Sequence, residues 1–157
     1  MDPLFFHPSY YELLKKQLKK WASENNSEML QLKELSVKNG IGRWKTKVIS
    51  PDGNIPRFGV DNITGSGISW DCNFVDSDPK QNTILQRNDI LITSTGTGST
   101  GRIDIFDENT PAITDGHITV IRLPSSVDPY YVMAYLRSEY AKRQLLRMER
   151  GTSGQIE

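Results

Sequence analysis

One cysteine, Cys72, and two histidines, His7 and His117, are all that this chain holds of the residues that build disulfides and zinc centres. A lone thiol excludes an internal disulfide and any Cys-rich zinc site, and it fits a reducing compartment. Excess charge is also lacking. Lys plus Arg and Asp plus Glu stand at 19 each, so the net charge of +0 gives no global reason to expect a nucleic-acid partner. No apolar run reaches the length that spans a bilayer, and the N-terminus lacks the charged and apolar regions of a signal peptide. The expectation is a soluble, cytoplasmic protein with no membrane partner. Its 157 residues suffice for one domain of ordinary size with a real hydrophobic core.

What is present is unevenly spread. Residues 38–57 carry Lys38, Arg43, Lys45, Lys47 and Arg57 against Asp52, whereas residues 71–115 carry Asp71, Asp76, Asp78, Asp89, Asp104, Asp107, Glu108 and Asp115 against Lys80, Arg87 and Arg102. The domain is electrically lopsided. At its centre lies QRNDILITSTGTGSTGRIDIF, residues 86–106. Ile90, Leu91 and Ile92 make an apolar β-type run, Thr93 to Gly101 is built of Gly, Ser and Thr, and Ile103 and Ile105 resume apolar alternation. The pattern predicts strand, loop, strand. Small residues there expose backbone N–H groups and hydroxyls without bulk, which suits phosphate or base edges; a bare hairpin tip is the plainer meaning.

Two enzyme readings of this loop fail on context. Gly96, Gly98 and Gly101 match GxGxxG, but a dinucleotide fingerprint needs a helix to open at the glycines, and here a second strand follows. A phosphate-binding P-loop needs Lys and then Ser or Thr after its last glycine, where this chain has Arg102 and Ile103.

Elsewhere, Leu4, Phe5 and Phe6 make an apolar opening, and Pro8 starts a helix to about Ala22 with Tyr11, Leu14, Leu18 and Trp21 on one face beside Lys15, Lys16, Lys19 and Lys20. Turn residues then separate short strands expected at 44–49, 56–60, 70–75, 111–114 and 117–123, the last apolar on both faces and so interior to its sheet. Residues 76–83 read as a surface loop. Asp128-Pro129 caps a helix over about 130–150, with Val132, Tyr135, Leu136, Tyr140, Leu145 and Leu146 as its apolar set. The fold class expected is α+β: a single mixed domain with a twisted, largely antiparallel β-sheet and two main helices. Residues 1–29 form an N-terminal aromatic segment and amphipathic helix, and 30–157 the core, ending in helix 129–150, as one globular unit overall. The closing GTSGQIE is a turn with no core element after it, so the chain is expected to be a piece of a longer polypeptide.

The search for chemistry finds little. His117 with Ser94 or Ser99 has no triad spacing and reads better as a strand-end histidine beside Asp115. Cys72 with His117 is no better, and one Cys with two distant histidines makes no zinc site. Asp128-Pro129-Tyr130-Tyr131 lacks the second proline of the motif by which amino-methyltransferases hold a target amine, and a helix cap explains it. No catalytic residue, metal ligand or cofactor is expected.

Three stretches in order resemble a known family. IPRFGVDNITGSGISW (55–70) is similar to its apolar strand, polar turn and Gly; NDILITSTGTGSTGRIDIF (88–106) to its Gly-Asp-Ile-Leu strand and Gly-rich turn, with Asn88 where Gly is usual; and residues 117–155 to its strand, Asp-Pro helix and closing Gly-rich turn. Asp2 to Leu14 also looks like the segment that precedes such domains. The family is that of the DNA-specificity subunits of type I restriction-modification enzymes, in their target recognition domain. The resemblance implies a non-catalytic module that reads one half of a split double-stranded DNA target. A separate methyltransferase subunit would supply S-adenosylmethionine and the chemistry, a restriction subunit could join it, and a second such domain or a second copy of the chain would complete the target. Alternatives are the recognition part of a fused type II restriction/adenine-methyltransferase chain, or a protein-interaction module that docks methyltransferase subunits. Because Arg suits guanine, Asn or Gln adenine, and Lys, Ser and Thr phosphate, the candidate DNA contacts are Arg57, Asn62, Thr64, Ser66, Asn73, Ser94, Thr95, Thr97, Ser99 and Arg102, with Lys45 and Lys47 on phosphates.

Overall fold

A computed structural model describes residues 8–26, 31–36, 41–43, 49–76, 84–96, 98–147, 149–150 and 155–156. Lys45, Lys47 and Thr97, the aromatic opening 1–7, residues 44–48 of an expected strand, residues 77–83 of the expected loop and most of GTSGQIE lie outside the described residues.

The chain divides into two units, Met1–Leu35 and Ser36–Glu157. In the first, helix α1 spans Pro8–Glu24, as the lysine-flanked apolar spacing predicts, and α2 is the single turn Leu32–Leu35. Trp21 is 59% exposed despite its place on the apolar face, and Lys20 reaches Glu24 one turn on at 3.7 Å.

The second unit is built on the strand pair around the small-residue loop. Strand β4 (Asp89–Thr93) and strand β5 (Ile103–Phe106) are antiparallel, with Ile90 opposite Ile105 and Ile92 opposite Ile103. Strand β7 (Ile118–Ile121) pairs with β4 on its other side and with β1 (Ile41–Gly42) beyond, giving the order β1-β7-β4-β5. Its two apolar faces thus reflect an interior position. A second sheet, ordered β3-β2-β6, holds β2 (Ile55–Phe58) antiparallel to β3 (Asn73–Val75) and parallel to β6 (Ile113–Thr114). The fold is α+β with mostly antiparallel strands, shared between two small sheets, because the chain leaves β5 at Phe106 and crosses to β2 before returning through β7.

Phe58 from one sheet and Leu91, Phe106, Ile118 and Val120 from the other form one buried cluster with Ile63, Leu85 and Ala112. Each large member contributes about 1.5–3 kcal/mol by leaving water. Trp70 closes the cluster edge-on to Phe58, ring centres 5.1 Å apart. Asn88, at the position where the resembled family uses Gly, has φ 74°, a left-handed conformation that Asn tolerates better than other side-chain-bearing residues.

The C-terminal helix differs from expectation. It is two helices, α3 (Pro129–Arg137) and α4 (Glu139–Arg147), broken at Ser138, which turns extended at ψ 155°. Asp128 caps α3 as predicted, accepting from the amides of Tyr130 and Tyr131. Ser138 then caps α4, its hydroxyl accepting from the Ala141 amide at 3.3 Å, and Glu139 favours the new N-terminus. Val132, Leu136 and Ala141 face inward, whereas Tyr135 and Tyr140 of the expected apolar set are half exposed. Glu149–Arg150 (β8) and Gln155–Ile156 (β9) pair beyond α4, which also shortens the helix expected to reach 150. Among the described residues no helix is long and apolar enough to cross a membrane.

Candidate nucleic-acid interface

Strand directions gather the polar segments at one end of the second unit. β4 ends at Thr93 opposite the first residue of β7, Ile118, and β5 begins at that same end opposite Ile92. β2 and β6 run parallel and finish together with Phe58 beside Thr114, and the Asp115 amide donates to the Phe58 carbonyl at 2.9 Å. Segments 59–68, 94–102 and 115–117 therefore emerge side by side, with Asn73 adjoining them at the start of β3.

The long Gly, Ser and Thr loop is knitted by its own hydroxyls. Thr93 Oγ1 donates to the Ser99 carbonyl and accepts from the Arg102 amide at 2.9 Å; Thr100 Oγ1 and Ser99 Oγ both donate to the Gly96 carbonyl. Gly96 has φ 114°, and a Cβ there would meet Ser99 Oγ at 2.4 Å, so the loop's path requires glycine at this point. Strand follows strand across the loop, as expected, with no helix opening at its glycines.

Several residues offered as DNA contacts are committed inside the protein. Ser94 is 1% exposed and its hydroxyl pairs with Thr119; Ser99 is 8% exposed. Neither hydroxyl turns to His117, whose Nδ1 lies 2.6 Å from Thr95 Oγ1 instead. Asn62 is buried at the end of a 3-10 turn, Val60–Asn62, where its carbonyl accepts from the Gly59 amide and its amide group donates to the carbonyls of Ser69 and Asp71. Arg57 lies 3.6 Å from Asp115 with both side chains about nine-tenths covered. Asn62 thus braces the turn from within, its polar atoms all bonded to protein, whereas the buried Nε of Arg57 has no hydrogen-bond partner among the described residues. Thr64, Ser66 and Asn73 are exposed, and Thr95 and Arg102 partly buried. Arg102 touches the Gly98 carbonyl at 3.4 Å and has no carboxylate partner among the described residues.

Sequence reasoning missed the carboxylates beneath. Asp104, in β5, accepts from the Gly65 amide at 2.8 Å, the Gly67 amide at 3.0 Å and Arg137 of α3 at 2.8 Å. Asp89 accepts a two-pronged contact from Arg122 at 2.8 and 2.7 Å and the Gln86 amide. Asp115 accepts the His117 amide besides facing Arg57. The signal was available: an acid inside or beside an apolar strand is rarely buried without a partner. Three of the eight acids of the acidic stretch, Asp89, Asp104 and Asp115, are thereby paired from within, each facing an arginine brought from elsewhere in the chain.

On the flank, Asp107 accepts from Arg87 at 2.8 Å and from the Tyr130 hydroxyl at 3.1 Å. These bonds hold the Asp107 carboxyl below its usual range and push the Tyr130 phenol up. Burial pushes the Cys72 thiol up as well, opposite to what a nucleophile needs, against a smaller lowering by a backbone hydrogen bond from Arg57. Among the described residues no three His, Cys, Asp or Glu converge as a metal site.

No family model matches this chain, and no curated protein does. A solved structure does. A chain from work on the structural basis of complex assembly and conformational transition of the type I restriction-modification system superposes on 82% of the present chain with a TM-score of 0.61 and 16% sequence identity. The matched part is 30% of that chain, so the present sequence spans under a third of its length. At this identity the likeness is one of fold.

Proposed function

We propose that this chain is a DNA-reading module of a type I restriction-modification system. It binds double-stranded DNA and reads one half of a bipartite target, and a separate methyltransferase subunit carries out the chemistry. The observation that carries this reading is the convergence of segments 59–68, 94–102 and 115–117 at one end of two sheets, with Thr64, Ser66 and Asn73 exposed, Arg102 partly so, and Asp104 and Asp115 buried beneath them. That arrangement offers one cation, one amide and several hydroxyls on short, internally braced turns, a set matched to groove edges and phosphates. The fold likeness to a type I restriction-modification structure supports the same assignment. Asp61, within the first of these segments, and Asp71 are exposed carboxylates, which weakens attraction to random DNA.

The test is selection of bound duplexes from a random pool at moderate salt, with the chain alone and with the methyltransferase subunit encoded beside it. A short enriched motif in either arrangement is the expected outcome. Featureless binding, or none, in both would refute the proposal.

A further inference from the structure

The Thr64–Gly67 turn contains a feature that changes its meaning. Gly65 and Gly67 point their amides inward as a two-pronged nest of the kind that holds anions. Here the nest is already filled, by the two oxygens of Asp104, whose side chain is 2% exposed. What remains for a ligand is the turn's exposed hydroxyls. Thr64 Oγ1 and Ser66 Oγ lie 3.0 Å apart, both residues exposed, and Thr64 Oγ1 also donates to the Gly67 carbonyl and accepts from the Ser66 amide.

Asp104 is itself fixed. Arg137 donates to its Oδ1 at 2.8 Å and, through Nε, to the neighbouring Ile103 carbonyl at 3.0 Å. The turn is closed at its base by the bridge between Ile63 and Ile68, and Ile63 is fully buried. A carboxylate with both oxygens engaged and an arginine behind it holds the turn in one position before any ligand arrives, and such preorganisation lowers the ordering cost of binding.

Resting on the DNA-reading proposal above, we infer that Asp104, clamped by Arg137, is a positioning residue that presets the Thr64–Gly67 turn so that Thr64 and Ser66 contribute to target discrimination. Asp104 does not touch DNA. It acts by fixing which side of the turn faces outward, and helix α3 enters the interface through Arg137.

The experiment uses the full chain, with its methyltransferase subunit where needed, and two readouts. One is amide exchange at Gly65 and Gly67 in the DNA-free protein; the other is the affinity ratio between a duplex enriched by the wild type and a random duplex of equal length. Asp104→Asn and Arg137→Gln should each speed exchange at both glycines and lower the ratio by about tenfold, with affinity for random duplex unchanged. Arg137→Lys, which keeps the charge but not the fork, should fall between. Thr64→Ala with Ser66→Ala leaves the anchor intact and guards against a folding failure; it should lower the ratio to a similar extent and leave Gly65 exchange slow. Faster exchange with an unchanged ratio would reduce Asp104 to a fold-stabilising role and overturn the inference, as would an unchanged ratio in the Thr64/Ser66 variant. If the wild type enriches no motif, the DNA-reading proposal itself falls, while the exchange readout still reports whether Asp104 holds the turn.

Discussion

Arg57 and Arg102 look equivalent in the sequence, and separate changes to Ala should divide them. Arg57 is 11% exposed in its side chain and sits 3.6 Å from an Asp115 that is 9% exposed. Its truncation leaves a buried carboxylate with the His117 amide at 2.9 Å and no cation. Stripping one partner from a buried pair costs about 3–5 kcal/mol, and because 3.6 Å is an ion contact longer than a hydrogen bond, about 3 kcal/mol applies. For a domain of this size that is a fall in Tm of roughly 6–12 °C. Arg102→Ala removes one 3.4 Å contact to the Gly98 carbonyl and should change stability by less than about 0.5 kcal/mol. If Arg102 meets a phosphate, its loss makes the slope of log affinity against log salt shallower by about 0.9, or roughly 3.5-fold over a fourfold rise in salt. If it meets guanine, preference at one base pair relaxes by about 1–3 kcal/mol. Thermal melts and fluorescence anisotropy with the enriched duplex over a salt series measure both effects. A stable Arg57→Ala that loses base preference would refute the reasoning, because it would make Arg57 a reader; so would an Arg102→Ala variant with wild-type slope and wild-type preference.

Two further outcomes follow from the buried and flanking carboxylates. Arg122→Met leaves Asp89, 1% exposed, without its two-pronged partner and should cost about 3–5 kcal/mol in urea denaturation, whereas Arg122→Met combined with Asp89→Leu should recover most of that loss; a double variant no more stable than the single one would contradict the pair's role. The Tyr130 phenol is raised above its ordinary value of 10.0 by its bond to Asp107, so what that bond contributes is present below about pH 10 and lost as pH rises through the raised value. The Asp107 carboxyl is lowered, first by Arg87 and then by Tyr130, so its contribution is present above the usual carboxylate range and lost as pH falls through the lowered value. In an absorbance titration Asp107→Asn should let one tyrosine ionise earlier than in wild type; identical curves would show that the contact does not form.

The strand pair around 94–101, the interior place of 118–121, the Asp128 cap and helix α1 are all legible from local pattern, because each rests on periodicity or on a side chain bonding to nearby backbone. The sequence also marked which segments would be polar turns. Which of their polar groups stay exposed is set by the assembled fold. Ser94 and Ser99 carry the same hydroxyl as Thr64 and Ser66, and Asn62 the same amide as Asn73, yet Asn62, Ser94 and Ser99 are buried and the other three exposed. No local pattern distinguishes them, since burial is set by how the segments pack once the sheets are assembled. The break at Ser138 escaped for a related reason: a serine hydroxyl that caps the next helix competes with helical continuation, and apolar spacing alone registers no interruption. Charge shows the same division. Asp89, Asp104 and Asp115 are three of the eight acids that make residues 71–115 read as acidic, and only the fold supplies Arg122, Arg137 and Arg57 to face them. A buried carboxylate needs a partner, but which arginine meets it is set by strand register and helix docking, properties of the assembled sheets rather than of any one stretch.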